Sequence, residues 1–285
     1  MTTGTGRRGL AVYGGGNYIF YIAGVLSRLQ ERGLQFEAVA SYSAGAALMP
    51  AIVSGRIEEA VEAFCELLLL TDSPAEDSVR WWRKAISRDA TYSYVLNRHY
   101  DFEAIRLSEK ATRVIVATYQ SDVFCGRPVA IGGLLALALY NRSKRFAGAR
   151  ALELFKKCAG IEAEVVDMRG CRTRAEAIHI VQGSSTIYPF IRVRSRRGRR
   201  MLDGKFALLS PIAALDDCDR IVSVHGSFTF PVQRENLLQI APRRPLGVKP
   251  FETIDRERVQ RLFASGSEDA DLHYDIMARA GFFAA

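Results

Sequence analysis

Ser43 lies in the segment Ser-Tyr-Ser-Ala-Gly (residues 41–45), between small residues and directly before an apolar run. A serine at a sharp turn from a strand into a helix presents its hydroxyl beside backbone N–H groups, which suits a nucleophile. Gly45 supplies the second glycine of the pattern G-x-S-x-G, and Ser41 takes the place of the first. The alternative is that Ser43 only caps the following helix, since serine is a preferred N-cap residue.

Three consecutive glycines, Gly14, Gly15 and Gly16, follow the first apolar run of the chain. The N–H groups of such a loop can converge on an anion. With the N–H of Ala44 they would form an oxyanion hole, in which each donor is worth roughly 3 kcal/mol. A phosphate-binding loop fits less well, because the segment lacks the lysine of G-x-x-x-x-G-K-[ST] and the spacing of G-x-G-x-x-G.

A serine nucleophile requires a base, and Asp203 and His225 are the candidates. The order Ser43, Asp203, His225 matches the order of the triad in α/β-hydrolases. In that fold several strands precede the nucleophile, whereas only about 40 residues precede Ser43. A carboxylate base is therefore favoured, and we expect His225 to serve packing or a loop hydrogen bond.

Apolar runs alternate with helical patterns along the chain, and this alternation predicts the elements that position these residues. The predicted strands cover residues 9–13, 36–43 and 113–119, and the predicted helices cover residues 18–33, 44–55 and 57–69. Such a pattern indicates an α/β fold with a mainly parallel sheet, helices on both faces, and ligand chemistry at the carboxyl ends of the strands.

The chain carries 39 basic and 31 acidic residues, a net charge of +8, which suits an anionic partner such as a phospholipid surface or nucleic acid. The basic excess peaks at residues 192–200, where the pattern predicts a hairpin. No helix-turn-helix, zinc-finger or RNP-type signature accompanies it, so nucleic-acid binding is disfavoured. The arginines form a solvated hairpin edge or, alternatively, Arg194, Arg196 and Arg197 contact a lipid headgroup.

Five scattered cysteines and four histidines show no CxxC and no HExxH, so neither a metal nor another cofactor is predicted. The odd cysteine number favours a reducing compartment and hence a cytoplasmic location. The glycines of residues 14–16 interrupt the first apolar run, and no export signal is expected. The apolar run at residues 131–140 is about half of the roughly 20 residues that a spanning helix needs, which favours a core helix or a mobile cap.

Four landmarks resemble the patatin-like phospholipases in the same order: the glycines with AGVLSRLQERG, then SYSAG, GSSTIYPFIRV and MLDGKFALLSPI. The resemblance spans most of residues 9–224, and ASGSEDA at 264–270, within a C-terminal helical segment (about 252–285), is similar to the closing helix of that family. It implies a three-layer α/β/α patatin-like fold with a mainly parallel central sheet, formed by a single domain over residues 1–285.

The resemblance also implies a Ser-Asp dyad of Ser43 and Asp203 and hydrolysis of fatty-acyl esters of lipids or phospholipids, without calcium or another cofactor. The lipid ester would be the main partner, with transient contact to an anionic membrane surface. In such a site the oxyanion hole consists of the N–H groups of Gly14, Gly15, Gly16 and Ala44.

Two motifs depart from the pattern of that family. Tyr18 and Ile19 stand where an x-[RK]-G sequence usually follows the glycines, and Lys205 replaces the small third residue of D-G-[GA]. We expect Lys205 to lower the pKa of Asp203 and keep it ionised. Two alternatives stay open: a catalytically weakened protein that binds acyl lipids or a partner, and a general esterase or thioesterase for small soluble esters.

Overall fold

A computed structural model describes residues 6–71, 90, 92–120, 132, 146–187, 191–227, 234–250, 252 and 254–283, with only the backbone described for residues 67–71 and 146–152. The strands are β1 (Arg8–Val12), β2 (Ala38–Ser41), β3 (Ala111–Gln120), β4 (Glu162–Asp167), β5 (Arg194–Arg196), β6 (Arg199–Asp203), β7 (Arg220–Val224) and β8 (Leu237–Ile240). The helices are α1 (Ile19–Glu31), α2 (Ala44–Ser54), α3 (Ile57–Thr71), α4 (Phe102–Arg106), α5 (Phe146–Ala159), α6 (Arg174–Ser184) and α7 (Arg256–Arg279). Residues 92–99 are also helical.

Helix boundaries follow local capping signals in the sequence. Helix α2 ends at Gly55, whose left-handed conformation (φ 73°) is open to glycine at little cost. Helix α6 begins at Thr173, whose side chain accepts a hydrogen bond from the N–H of Glu176. Helix α7 begins in the same way at Asp255, which accepts from the N–H of Arg258. The predicted helices 18–33, 44–55 and 57–69 are confirmed as α1, α2 and α3.

The strands of the described residues form one mixed sheet. Strands β3, β2, β1, β7 and β8 are adjacent in that order and parallel, and β4, β5 and β6 join antiparallel. Large side chains such as Leu10, Val12 and Val39 face a core shared with α1, α2, α6 and α7. Alanines and Ile115 face the opposite side, where residues 211–215 and α5 pack. The predicted α/β fold, with helices on both faces of a mainly parallel sheet, is confirmed.

Strands β2 and β6 lie end to end along one edge of β3. Val114 of β3 pairs with Ser41 of β2 and with β4, and Val116 pairs with Asp203 of β6 and again with β4. Because β4 occupies one edge at both positions, β2 and β6 must share the other edge. Their carboxyl ends therefore meet at Ile115, and the residues that follow Ser41 and Asp203 leave the sheet side by side.

Residues 192–200 form the hairpin that the sequence predicts. Strands β5 and β6 pair antiparallel, with Arg196 opposite Arg199. The two turn residues, Arg197 and Gly198, both have positive φ (49° and 76°). This is the backbone of the tight turns whose twist matches that of the flanking strands.

The apolar run at residues 131–140 lies outside the described residues, except for the backbone of Gly132, which is helical. The prediction of a core helix or cap there stays a prediction. Among the helices that the structure describes, none combines the length and apolar character required to cross a bilayer.

Candidate functional site

Ser43 sits between the end of β2 and the first residue of α2, in the elbow formed by residues 41–45. Its backbone has φ 56° and ψ −134°, a region that residues with a side chain rarely adopt. Such a conformation costs of order 1–3 kcal/mol and persists only where its surroundings enforce it. Ser43 occupies the N-cap position of α2, yet its side chain forms no capping hydrogen bond. The hydroxyl instead donates to the carboxylate of Asp203.

Gly45 and Ser41 of the elbow are small residues in different surroundings. A Cβ on Gly45 would lie 2.9 Å from the carbonyl oxygen of Val12 and 3.1 Å from that of Tyr13, so this position requires glycine. Ser41 is still part of β2 and is fully buried. Its Oγ has no hydrogen-bond partner within the part of the chain that the structure describes. Serine at the first glycine position of the motif therefore leaves the turn intact.

Asp203 ends β6 and is 3% exposed. The N–H of Lys205 donates to its Oδ1 at 2.9 Å, and its own N–H donates to the carbonyl of Thr186 at 3.0 Å. A Cβ on the next residue, Gly204, would lie 2.3 Å from the carbonyl oxygen of Ile115. The Asp-Gly pair is thus required at this junction, because only glycine lets the chain turn so close to β3.

Burial raises the pKa of Asp203 to about 6, against the lowering effects of the Ser43 hydroxyl, the Lys205 N–H and the Lys205 charge. The lowering effect of Lys205 that the sequence predicts is therefore present, and burial outweighs it. Burial also lowers the pKa of Lys205, while the Asp203 charge acts in the opposite sense. Above pH 6 the carboxylate is nevertheless mostly ionised, and it is a stronger base than an ordinary aspartate.

The glycine loop, residues 14–16, lies directly against Ser43. A Cβ on Gly14 would be 2.5 Å from the Cβ of Ser43, and Gly15 and Gly16 have φ of 144° and 57°. Within the described residues, four N–H groups on half-buried residues of the glycine loop and the elbow have no acceptor: those of Gly14, Gly15, Gly16 and Ala44. Gly14 and Ala44 adjoin Ser43. The convergence of all four N–H groups on one oxyanion stays a prediction.

Asn17 ties the glycine loop to residues 249–252. Its side-chain amide donates to the carbonyl oxygens of Lys249 (3.1 Å) and Glu252 (2.9 Å), and its N–H donates to that of Pro250 (2.9 Å). A Cβ on Gly16 would lie 2.0 Å from the same Pro250 oxygen. No local signal in the sequence marks this role of Asn17, because its partners lie more than 230 residues away.

His225 directly follows β7 and is 2% exposed. Its ring packs edge-on against Tyr13 at 5.4 Å and hydrogen-bonds to Gln239. Burial is the main effect on its pKa, which is lowered. These contacts are of the packing and hydrogen-bonding kind that the sequence predicts, and the partner of the Ser43 hydroxyl is a carboxylate.

The arginines of the hairpin have different surroundings. Arg196 forms an ion pair with Glu164 of β4, and Arg199 pairs with Glu162 of the same strand at 2.5 Å. Arg194 donates to the carbonyl of Arg192. Burial raises the pKa of Tyr92, the Asp203 charge raises it further, and the Arg194 charge lowers it. The charges of Arg194 and Asp203 thus act in opposite senses on the Tyr92 hydroxyl, whereas Arg196 forms an ion pair and Arg197 forms the turn.

Three comparisons with known proteins bear on this site. The sequence model of the family described as "Patatin-like phospholipase" matches residues 10–216. The solved structure of VipD from Legionella pneumophila is similar, with 14% sequence identity, a TM-score of 0.47, and coverage of 95% of this chain and 67% of that chain. The comparison with curated proteins gave no match. Among the residues described here, no three His, Cys, Asp or Glu side chains are grouped so that they could hold a metal ion.

Proposed function

Because the chain belongs to the patatin-like phospholipase family, we propose that it is a serine hydrolase that cleaves fatty-acyl esters of lipids and phospholipids. The observation that carries this proposal is the hydrogen bond from the Ser43 hydroxyl to Asp203 in place of a helix cap. A serine kept only for capping would bond its own helix, whereas a nucleophile needs a base in reach of its proton.

In the first half of the proposed reaction, the Oγ of Ser43 attacks the carbonyl carbon of the ester and its proton moves to the Asp203 carboxylate. The N–H groups of the glycine loop and Ala44 stabilise the resulting oxyanion. When this intermediate collapses, the bond from carbon to the alcohol oxygen breaks. The leaving alkoxide takes the proton from Asp203, and an acyl ester on Ser43 remains.

In the second half, a water molecule attacks the acyl ester while Asp203 accepts one of its protons. Collapse of this second intermediate returns the proton to Ser43 and releases the fatty acid. The raised pKa of Asp203 supports this role, since a carboxylate with a pKa near 6 is ionised at neutral pH and accepts a proton more readily than one near 4.

We propose transient contact with an anionic membrane surface, supported by the net charge of +8. Arg194 is the candidate headgroup contact, because it begins β5 of the hairpin whose second strand ends at Asp203, and its charge and that of Asp203 both act on Tyr92. We also propose a single domain over residues 1–285, because one buried cluster includes residues from Leu10 to Phe282. The scattered, odd cysteine set supports a cytoplasmic location.

The test is covalent labelling by a fluorophosphonate probe, with the modified residue identified by mass spectrometry. We expect labelling at Ser43, its loss in Ser43→Ala, and at least a tenfold slower reaction in Asp203→Asn. Asp271→Asn, which changes an exposed carboxylate on α7, is the matched control and should label at the wild-type rate. Labelling that does not depend on Asp203 would contradict the dyad.

Turnover then distinguishes the substrate classes. We expect hydrolysis of phosphatidylglycerol-containing vesicles to exceed that of short soluble esters. Fast turnover of the soluble esters without vesicles would support the general esterase instead. Vesicle binding by a protein that neither labels nor turns over would support the lipid-binding alternative.

A further inference from the structure

We propose that Ser184, the last residue of α6, is a positioning residue that holds the nucleophile turn in its strained conformation. The proposal rests on the hydrolase function proposed above and deepens it. Ser184 is fully buried. Its Oγ accepts a hydrogen bond from the N–H of Ser43 at 3.0 Å and donates one to the carbonyl oxygen of Ile115 at 2.7 Å.

The place of Ile115 explains why this bridge is needed. Ile115 lies between Val114, which pairs with β2, and Val116, which pairs with β6. Its carbonyl oxygen faces the gap where the two strand ends meet, 2.7 Å from the Ser184 hydroxyl and 2.3 Å from a Cβ placed on Gly204. The Ser184 hydroxyl lies in this gap and satisfies two buried backbone groups, the N–H of Ser43 and the carbonyl of Ile115.

The direction of both hydrogen bonds is fixed by their chemistry. A backbone N–H can only donate and a carbonyl can only accept, so the single hydroxyl proton of Ser184 must point at Ile115. The N–H of Ser43 is consequently engaged, whereas that of Ala44 is left to the oxyanion. Ser184 thereby anchors the amide plane that precedes the Cα of Ser43 and helps to enforce its positive φ of 56°.

The adjacent Ser185 supplies a matched comparison. It is buried to a similar degree, and its Oγ donates to the carbonyl of Val181 within α6 and bonds the hydroxyl of Tyr92 at 2.7 Å. Removing its hydroxyl costs buried hydrogen bonds of the same kind but leaves the backbone of Ser43 untouched. A general loss of stability should affect both variants, whereas a positioning role is specific to Ser184.

The experiment measures the maximal inactivation rate, the half-saturating concentration and the final stoichiometry of fluorophosphonate labelling for the wild type, Ser184→Ala, Ser184→Cys and Ser185→Ala. A misplacement of about 1 Å costs on the order of 100-fold in rate. We expect Ser184→Ala to lower the maximal inactivation rate about 10- to 100-fold. The half-saturating probe concentration should stay within about threefold of the wild-type value, and each chain should still take up one label. Ser184→Cys, which keeps a weak donor and acceptor, should fall between the wild type and Ser184→Ala.

The controls separate this inference from the function on which it rests. Ser185→Ala should keep the maximal rate within about threefold of the wild type, even if its melting temperature falls as far as that of Ser184→Ala. Equal rate losses in the two variants, or an unchanged rate in Ser184→Ala, would overturn the positioning role alone. A wild-type protein that does not label at Ser43 would instead overturn the proposed function. Should Ser184→Ala fail to fold, a wild-type rate in Ser184→Cys would overturn the positioning role.

Discussion

Ser43 is held in a backbone conformation that its own side chain disfavours. With φ 56° and ψ −134° it lies where glycine is at ease and an L-residue is strained. Three neighbours hold the turn in this conformation: Gly14 against the side chain, Gly45 two residues on, and Ser184 at the N–H. Strain of this kind at a site of chemistry suggests that the position of the hydroxyl is maintained at the expense of stability.

This strain predicts an inverted order of stability for two substitutions. At an ordinary position glycine destabilises relative to alanine, by roughly 0.5–1 kcal/mol in a helix. At residue 43 we expect Ser43→Gly to exceed Ser43→Ala by about 1 kcal/mol in the free energy of unfolding, because glycine relieves the strain. Urea denaturation measures the difference, with Ser54→Gly and Ser54→Ala in α2 as the pair that should keep the ordinary order. The ordinary order at residue 43 as well would mean that the turn carries no strain.

The raised pKa of Asp203 predicts the pH dependence of the reaction. Only the ionised carboxylate can accept the proton of Ser43, and its pKa is about 6, mainly through burial. We therefore expect the labelling rate at Ser43 to rise through pH 6 and to level off near pH 8. The Asp203→Asn variant should lack this rise, and a wild-type midpoint near pH 4 would show that the carboxylate is solvated.

The same pKa predicts that the base destabilises the fold. The folded pKa of about 6 lies above the ordinary value of 3.8, so the folded state favours the neutral acid. The resulting contribution to the free energy of unfolding is fully present below pH 4 and is lost as the pH rises through 6. This shift corresponds to an upper limit of about 3 kcal/mol, at about 1.4 kcal/mol for each pKa unit. We expect Asp203→Asn to be more stable than the wild type at pH 8, with a gain that declines below pH 6. Chemical denaturation at several pH values measures this, and a loss at pH 8 would contradict it.

At the scale of single residues, local patterns indicate the candidates and distant contacts determine their surroundings. SYSAG and the Asp-Gly pair could be found in the sequence because each is tied to a sharp turn of its own backbone. The net pKa of Asp203 could not, since it depends on burial by other parts of the chain. The pairing of Arg196 with Glu164 was equally inaccessible, because those residues meet only through the order of the strands.

Among the elements, the glycine loop depends on a segment that follows the region matched by the family. Asn17 joins the loop to residues 249–252 through three hydrogen bonds. Its side chain has no part in the proposed chemistry, but it sets where the neighbouring N–H groups point. Oxyanion donors act through their fixed placement, so their support matters as well as their number.

We therefore expect Asn17→Ala to lower kcat about tenfold while KM stays within about threefold, because the oxyanion is bound only during the reaction. The measurement is steady-state hydrolysis of a soluble chromogenic ester. Asn97→Ala is the matched control, since that side chain is exposed and makes one local hydrogen bond to the carbonyl of Ser93. A rise in KM with unchanged kcat would place Asn17 in substrate binding instead.

The helices and parallel strands near the amino terminus are predictable because each is encoded by its own periodicity and capping residues. The meeting of β2 and β6 on one edge of β3 cannot be predicted in this way. It depends on the position of β4 on the opposite edge, and β5 and β6 span only three and five residues. Segments so short carry little periodic signal, and their place in the sheet is determined by pairing with distant strands.

In the molecule as a whole, helices α1 and α7 cross at very close range. A Cβ on Gly24 of α1 would lie 1.9 Å from the carbonyl oxygen of Phe263, and one on Gly266 of α7 would lie 2.0 Å from that of Tyr21. Ser267 adds a hydrogen bond to the carbonyl of Gly24 at 3.2 Å. The C-terminal helical segment expected at residues 252–285 is thus an integral layer of the fold.

This crossing predicts that Gly266→Ala destabilises the protein. Alanine would ordinarily favour a helix interior by about 1 kcal/mol over glycine. Here the added methyl group meets backbone, and we expect a net loss of about 1–3 kcal/mol in the free energy of unfolding. Gly170→Ala, whose methyl group would meet nothing within 4 Å, is the control and should change stability little. A gain in Gly266→Ala would show that the helices can separate without cost.

The end-to-end meeting of β2 and β6 also governs when the hydroxyl of Ser43 acquires its carboxylate partner during synthesis. A nascent chain that ends before residue 203 carries the serine without its carboxylate, and one that ends before residue 249 lacks the segment that braces the glycine loop. The proposed dyad and the braced glycine loop are therefore complete only after residue 252 has been synthesised. A fragment that ends before that residue would lack the proposed reactive centre.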